Sequence, residues 1–146
     1  MIPDIGYIAL IIAFAMGLYA TLISVYGGLE NRTSWIASAR NACLVVFALL
    51  TISVLSVTFS LYTLDFSQAY VADVSSQAMS PFLRLTAIWG GQQGSVLFWA
   101  WIMAGFVAAV VWRKWDADRE LTPYVIFVAM LTTTFFIGVV LFITNP

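Results

Sequence analysis

"LTAIWGGQQGSVLFWAWIMAGFVAAVVW", residues 85–112, contains no charged side chain. An α-helix needs about 20 predominantly apolar residues to cross a hydrocarbon core of roughly 30 Å, and this run is long enough. Residues 5–29, 41–64 and 121–146 are equally free of charge. Inside a bilayer no water satisfies the backbone, so each run must close its own hydrogen bonds as a helix. A β-barrel would instead need alternating segments of about 10 residues, and these runs do not alternate. The expected fold class is all-α: a polytopic membrane protein with four transmembrane helices, spanning about 5–26, 42–64, 94–112 and 123–143.

Composition points the same way. The chain has 146 residues, is 62% hydrophobic and only 9% charged, whereas a soluble domain carries about 25% charged residues. Its net charge is −1, and without a basic patch nucleic acid is not an expected partner. There is no histidine and a single cysteine, Cys43. That excludes an internal disulfide and removes the commonest ligand for a transition metal or haem. No metal site and no catalytic residue is therefore assigned. Cys43 reads as a small buried hydrophobe.

The positive side chains set an expected orientation. Arg32 and Arg40 lie in the 30–40 connection and Arg113, Lys114 and Arg119 in the 113–120 connection, while Arg84 stands by itself in between. Short loops rich in lysine and arginine stay cytoplasmic. Both ends of the segment, with the 65–92 connection, are then expected on the outer side. The first helix lacks the basic lead and short apolar run of a cleavable signal peptide.

Within the spans, Ala9, Ala13, Gly17, Thr21, Ser24 and Gly28 form a stripe of small residues, a helix-packing face in a membrane, with a ligand groove as the other reading. Gly27-Gly28 is expected to end that helix. Ser53, Ser56 and Ser60 are expected to bond to their own helix or a neighbour, as are Thr132, Thr133 and Thr134. Pro123 suits the first turn of the last helix. Trp99 and Trp101 at one end of the third span, and Trp112 and Trp115 at the other, read as an aromatic belt about 28 Å apart at 1.5 Å per residue.

The 65–92 connection is long for a structureless loop. Ser80-Pro81 is an N-cap followed by proline at the first helical position. Phe82, Leu85, Ile88 and Trp89 then share a face, which predicts a short interfacial helix over about 81–89. Arg84 lies off that face and would reach the headgroups or an anionic ligand. Gly90-Gly91 would take backbone angles closed to other residues and turn the chain into the membrane. Gln92, Gln93 and Ser95 sit where the free N–H groups of the next helix need partners.

With those residues in view, "YVADVSSQAMSPFLRLTAIWGGQQGSVLFWAW" resembles the outer loop and third helix of the CcmF family, the membrane haem lyases of cytochrome c maturation. Members carry Tyr-Val-Ala, a serine-rich link, proline, then Trp-Gly-x-His-Glu-Gly-Ser-Leu-Leu-Leu-Trp. Tyr70, Val71, Ala72, Trp89, Gly90, Gly94, Ser95 and Trp99 match; Gln92-Gln93 departs from His-Glu. "MIPDIGYIAL" and "LFITNP" resemble the family's amino terminus and the end of its fourth helix.

The resemblance implies an amino-terminal portion of a longer protein, supporting covalent attachment of haem to apocytochrome c on the outer face of the bacterial cytoplasmic (inner) membrane. Haem would be ligated outside this segment. Implied partners are the remaining membrane domain, apocytochrome c, a haem chaperone, other maturation subunits and the lipid bilayer. The candidate outer-vestibule motif is Tyr70, Arg84, Trp89, Gly90, Gly91, Gln92, Gln93, Gly94, Ser95 and Trp99, contacting haem or a partner. The alternative function is a non-catalytic four-helix scaffold or assembly subunit. A transporter is disfavoured because no ionisable residue lies within a span to couple an ion.

Overall fold

Four apolar runs joined by two short links and one long one fold up and down across a membrane. The computed structural model describes residues 2–113 and 119–144. The elements are α1 (Ile2–Leu29), α2 (Thr33–Thr63), α3 (Ala69–Val74), α4 (Pro81–Thr86), a 3-10 turn (Ala87–Trp89), α5 (Gln92–Trp112), α6 (Thr122–Val139) and a closing π-helical turn (Val140–Thr144). No strand occurs among the described residues. α1, α2, α5, and α6 with its π turn are each long and apolar enough to cross a membrane. α1 packs chiefly on α2 and then on α6, while α5 bridges α2 and α6. The four form a ring.

Small side chains let these helices approach. Ala9, Ala13, Gly17, Thr21 and Ser24 are buried on α1, so the stripe is a packing face. Ser53 Oγ donates to Gly6 O at 2.5 Å and Ser56 Oγ to Ile2 O at 2.7 Å, tying α2 to the first turns of α1. Ser60 instead bonds within its own helix, to Ser56 O. Thr132 and Thr133 bond back to Val128 and Ala129. Thr134 does not: its hydroxyl fills the notch over Gly17 and has no hydrogen-bond partner among the described residues. Leu50, Leu61, Leu97, Ile126, Met130 and Ile137 are fully buried between the helices, as is Cys43. Ile8, Leu22, Leu55, Phe106 and Phe135 point outward, which is where side chains facing lipid belong.

Two expectations fail here for identifiable reasons. Gly27-Gly28 does not end α1, which runs on to Leu29. The reversal falls at Asn31, with φ 53°, a left-handed angle that asparagine tolerates. A β-carbon on Gly27 would come within 3.0 Å of Ile36, and one on Gly28 within 3.0 Å of Pro123. Those glycines provide close approach. Trp101 is not a belt residue either. Its ring stacks on Phe47 at 6.2 Å and its Nε1 donates to Thr51 Oγ1 at 2.9 Å, so it fills the α2–α5 groove. Trp99 and Trp112 remain exposed. Trp115, with the rest of residues 114–118, lies outside the described residues.

Candidate functional site at the start of the third span

The long connection folds into two short helices whose purpose becomes clear at Tyr70. This residue opens α3 and is 3% exposed. Its phenol lies 3.2 Å from Ala87 O and 3.1 Å from Ile88 O, the carbonyls of the turn that precedes α5. A phenol has one proton to donate, so the two carbonyls share it. Burial pushes the Tyr70 phenol up to about 12, against the opposite pull of backbone hydrogen bonds from Gly94 and then Gly91. The ring itself rests on glycine. A β-carbon on Gly91 would sit 2.6 Å from Tyr70 Cε2 and 2.8 Å from Val74 Cγ1, and one on Gly94 would collide with the Tyr70 hydroxyl and Ile88 O. The first turn of α5 is thus docked against an aromatic some twenty positions upstream.

This changes the reading of the glycines. Gly90 has φ −72° and Gly91 φ −116°, both open to any residue. The expected left-handed turn is absent, and what these positions lack room for is a side chain. The glutamines also depart from expectation. Gly91 is the N-cap of α5 and no side chain caps the helix, so neither Gln92, which is exposed, nor half-buried Gln93 partners the free N–H groups. Ser95 faces the other way, donating to Gly91 O at 2.7 Å and Trp89 O at 3.2 Å.

The surface helix forms as an α-helical turn and a half, Pro81–Thr86, continued by the 3-10 turn. Ser80 caps it, its Oγ accepting from Leu83 N at 3.4 Å. Phe82, Leu85 and Trp89 are exposed as one apolar surface, but Ile88 turns inward and is buried. The 3-10 geometry rotates it out of the helical face. Arg84 does not reach out for headgroups. It folds back, Nε donating to Met79 O at 3.0 Å and Nη2 to Gln77 O at 3.3 Å, and so it pins the loop that leads into its own helix.

Trp89 stands 67% exposed at the end of the turn. Its ring meets Phe98 at 5.3 Å, Phe98 meets Trp101 at 5.5 Å, and Trp101 meets Phe47. An aromatic ladder therefore runs from the exposed tip down the α2–α5 groove. Of the ten candidate residues, Tyr70, Trp89, Gly90, Gly91, Gly94 and Ser95 come together. Arg84 and the outward-facing Trp99 stand apart, and Gln92 and Gln93 flank the dock without bonding to it. Sequence reasoning missed Val74 and the Phe98–Trp101–Phe47 ladder. Helical spacing of Phe98 and Trp101 was the available signal.

No protein-family model matches the sequence. Along its whole length the chain is 31% identical to the cytochrome c-type biogenesis protein CcmF of Pseudomonas aeruginosa and spans 22% of that relative. It is 32% identical, again end to end and over 22% of the relative, to the cytochrome c-type biogenesis protein ccl1 of Rhodobacter capsulatus. The chain thus spans about a fifth of these curated relatives, matching their amino-terminal portion. A solved structure described as cytochrome c heme lyase CcmF superposes with a TM-score of 0.93 over 100% of this chain and 24% of that one, at 23% identity. That likeness shows the same fold.

Proposed function

We propose that this chain, which is similar along its whole length to the amino-terminal portion of CcmF proteins, belongs to that family and forms the amino-terminal membrane portion of a cytochrome c haem lyase. It supports covalent attachment of haem to apocytochrome c on the outer face of the bacterial cytoplasmic membrane. Both of its ends and the 65–92 connection face outward, with Arg32, Arg40, Arg113, Lys114 and Arg119 on the cytoplasmic side. Its partners are the remaining membrane domain of the same protein, apocytochrome c and the haem-delivering subunits. Haem enters as a substrate. With no histidine and with Cys43 packed inside the bundle, this chain offers haem an aromatic surface and leaves ligation to other segments.

One observation carries the reading. The Tyr70–Gly91–Gly94 dock holds an exposed Trp89 at a defined place, and Tyr70, Trp89 and Gly94 are among the residues that carry the family resemblance. A flat ring held there can stack on a porphyrin or on an aromatic of the adjoining domain. A belt tryptophan only partitions to the interface, and phenylalanine replaces it at modest cost.

The test is made in the longest natural form of the protein, scored by covalent haem staining of a reporter cytochrome normalised to protein level. Trp89→Ala is expected to lower staining with membrane insertion intact, while Trp112→Phe leaves it near normal. Normal staining in Trp89→Ala would overturn the role of Trp89 and favour the scaffold reading, in which the dock only braces the helices. Orientation is tested separately, with a membrane-impermeant thiol reagent on Trp35→Cys and Ser75→Cys, each in a Cys43→Ala background. Labelling of position 75 and protection of position 35 is expected; the reverse overturns the topology.

A further inference from the structure

At the opposite end of the bundle, α5 stops against a cation. Arg40 Nε and Nη2 donate to Val111 O at 3.1 and 2.5 Å. The guanidinium thereby meets the partial negative charge of a helix C-terminus, equivalent to roughly half an elementary charge. Two of its five N–H donors are used and the others are free for a further acceptor. Arg32 provides the contrast: it pairs with Glu30 at 2.9 Å and stacks on Trp35 at 5.0 Å. Arg40 has no carboxylate partner among the described residues, although it is half-buried. A cation taken partly out of water calls for a full counter-charge, and half a charge from a helix end leaves a remainder.

The surroundings say what supplies it. Arg40 lines a cleft of about 240 Å³ with Ala37, Asn41, Leu44, Val111 and Trp112. Ala37, Arg40, Asn41 and Leu44 fall at helical spacing on one face of α2, with Ala37 and Asn41 exposed. The cleft therefore opens sideways. Trp112, 77% exposed on its rim, marks the depth of the headgroups. From Arg40 and Asn41 to Leu44 the face runs about 6 Å, from polar to apolar. That is the order in which a phospholipid presents its phosphate and then its acyl chain. A basic recess between helices at this depth suits an anionic headgroup.

We propose that the Arg40–Asn41–Trp112 cleft binds the headgroup of an anionic phospholipid, with the phosphate on the free guanidinium donors and Asn41, and an acyl chain along Leu44. The lipid completes the charge balance at the end of α5. This site is separate from the Tyr70 dock, and its failure would leave the proposed function unaffected.

The chain is reconstituted in phosphatidylcholine vesicles carrying either brominated phosphatidylglycerol or brominated phosphatidylcholine at equal mole fraction. Emission from Trp112 is isolated by difference against Trp112→Phe. Preferential quenching by the brominated anionic lipid is expected, corresponding to about fivefold tighter association for one arginine contact. Arg40→Gln should abolish that preference. Asn41→Leu, which leaves the Val111 cap untouched, should reduce it, so a folding defect in Arg40→Gln does not decide the matter. Equal quenching by the two lipids overturns the proposal, whether the cleft is empty or covered by polypeptide. A preference that survives in both variants also overturns it, since diffuse surface charge would then be the cause. Loss of the preference on adding excess inorganic phosphate assigns the cleft to a free anion and equally overturns the lipid site.

Discussion

At the end of the bundle that carries the long connection, α5 begins against a buried tyrosine and two glycines; at the other end it stops against an arginine. The first closure uses shape. Tyr70 lies in a recess that only residues without a side chain leave open, and its one hydroxyl proton is shared between two carbonyls. The second uses charge, a guanidinium on the Val111 carbonyl in the last turn of α5, in a cleft with room to spare. A close-packed recess tolerates almost no change in volume, whereas a charged cap on an open cleft tolerates changes in shape but not in sign. The lesson is that the two ends should respond to different kinds of substitution.

The sharpest way to break the comparison is Gly94→Val. Its β-carbon would meet the Tyr70 hydroxyl and a backbone carbonyl of the preceding turn, and neither can move away cheaply. Overpacking of this kind is expected to cost about 3 kcal/mol, read as a lower midpoint of unfolding in detergent. Gly91→Ala should cost less, since the atoms it meets belong to the side chains of Tyr70 and Val74. Equal costs at the two positions would mean that the dock is looser than the geometry describes.

Next in size is Tyr70→Phe, which leaves the ring in place and removes the hydroxyl. Ala87 O keeps the Gly90 N–H, but Ile88 O loses its donor, at about 1 kcal/mol. The same group gives the dock a pH dependence. Burial raises the Tyr70 pKa to about 12 from its ordinary 10. A phenol raised in the folded state stabilises fully below the unfolded value and loses that contribution as pH climbs through the folded one. Stability should fall between pH 10 and 12, and the fall should be smaller in Tyr70→Phe. Tyrosinate absorbance of the two proteins in parallel shows whether Tyr70 titrates late.

A smaller effect belongs to the charged end. Arg40→Gln keeps a donor near Val111 O but removes the charge, and is expected to cost about 1 kcal/mol. Raised salt should narrow that difference if the cap is partly exposed. The smallest effect sharpens the contrast between two tryptophans on one helix. Trp101→Phe loses the bond to Thr51 and about 1 kcal/mol, whereas Trp112→Phe at the exposed rim should leave the midpoint almost unchanged.

Why these two tryptophans look alike in sequence and differ in structure explains how far the residues could be read. Counting charge-free runs was enough for the four helices, because a bilayer allows the backbone no other way to satisfy itself. The small-residue stripe on α1 and the serines of α2 followed from the same constraint. Hydropathy, however, does not say which neighbour a ring faces, so Trp101 passed for a belt residue. Gly90 and Gly91 read as a turn because glycine permits unusual angles. The same letters permit close approach, and only the position of Tyr70 decides between the two.

The residues alone therefore determined the class, the number of spans, the absence of histidine ligation and the stretch that carries the family resemblance. Each depends on composition or on local order, which a linear chain already contains. Tertiary structure decided the rest: Tyr70 as the centre of the dock, Arg84 turned back onto its own loop, Arg40 on the end of α5, and Trp101 in a groove. Arg84 aside, whose bonds span five and seven positions, those are relations between residues far apart in the chain, 17 positions for Tyr70 and 71 for Arg40. Such pairs meet only when helices and loops pack, and packing is set by volume and shape at the contact, which no pattern of single residues records.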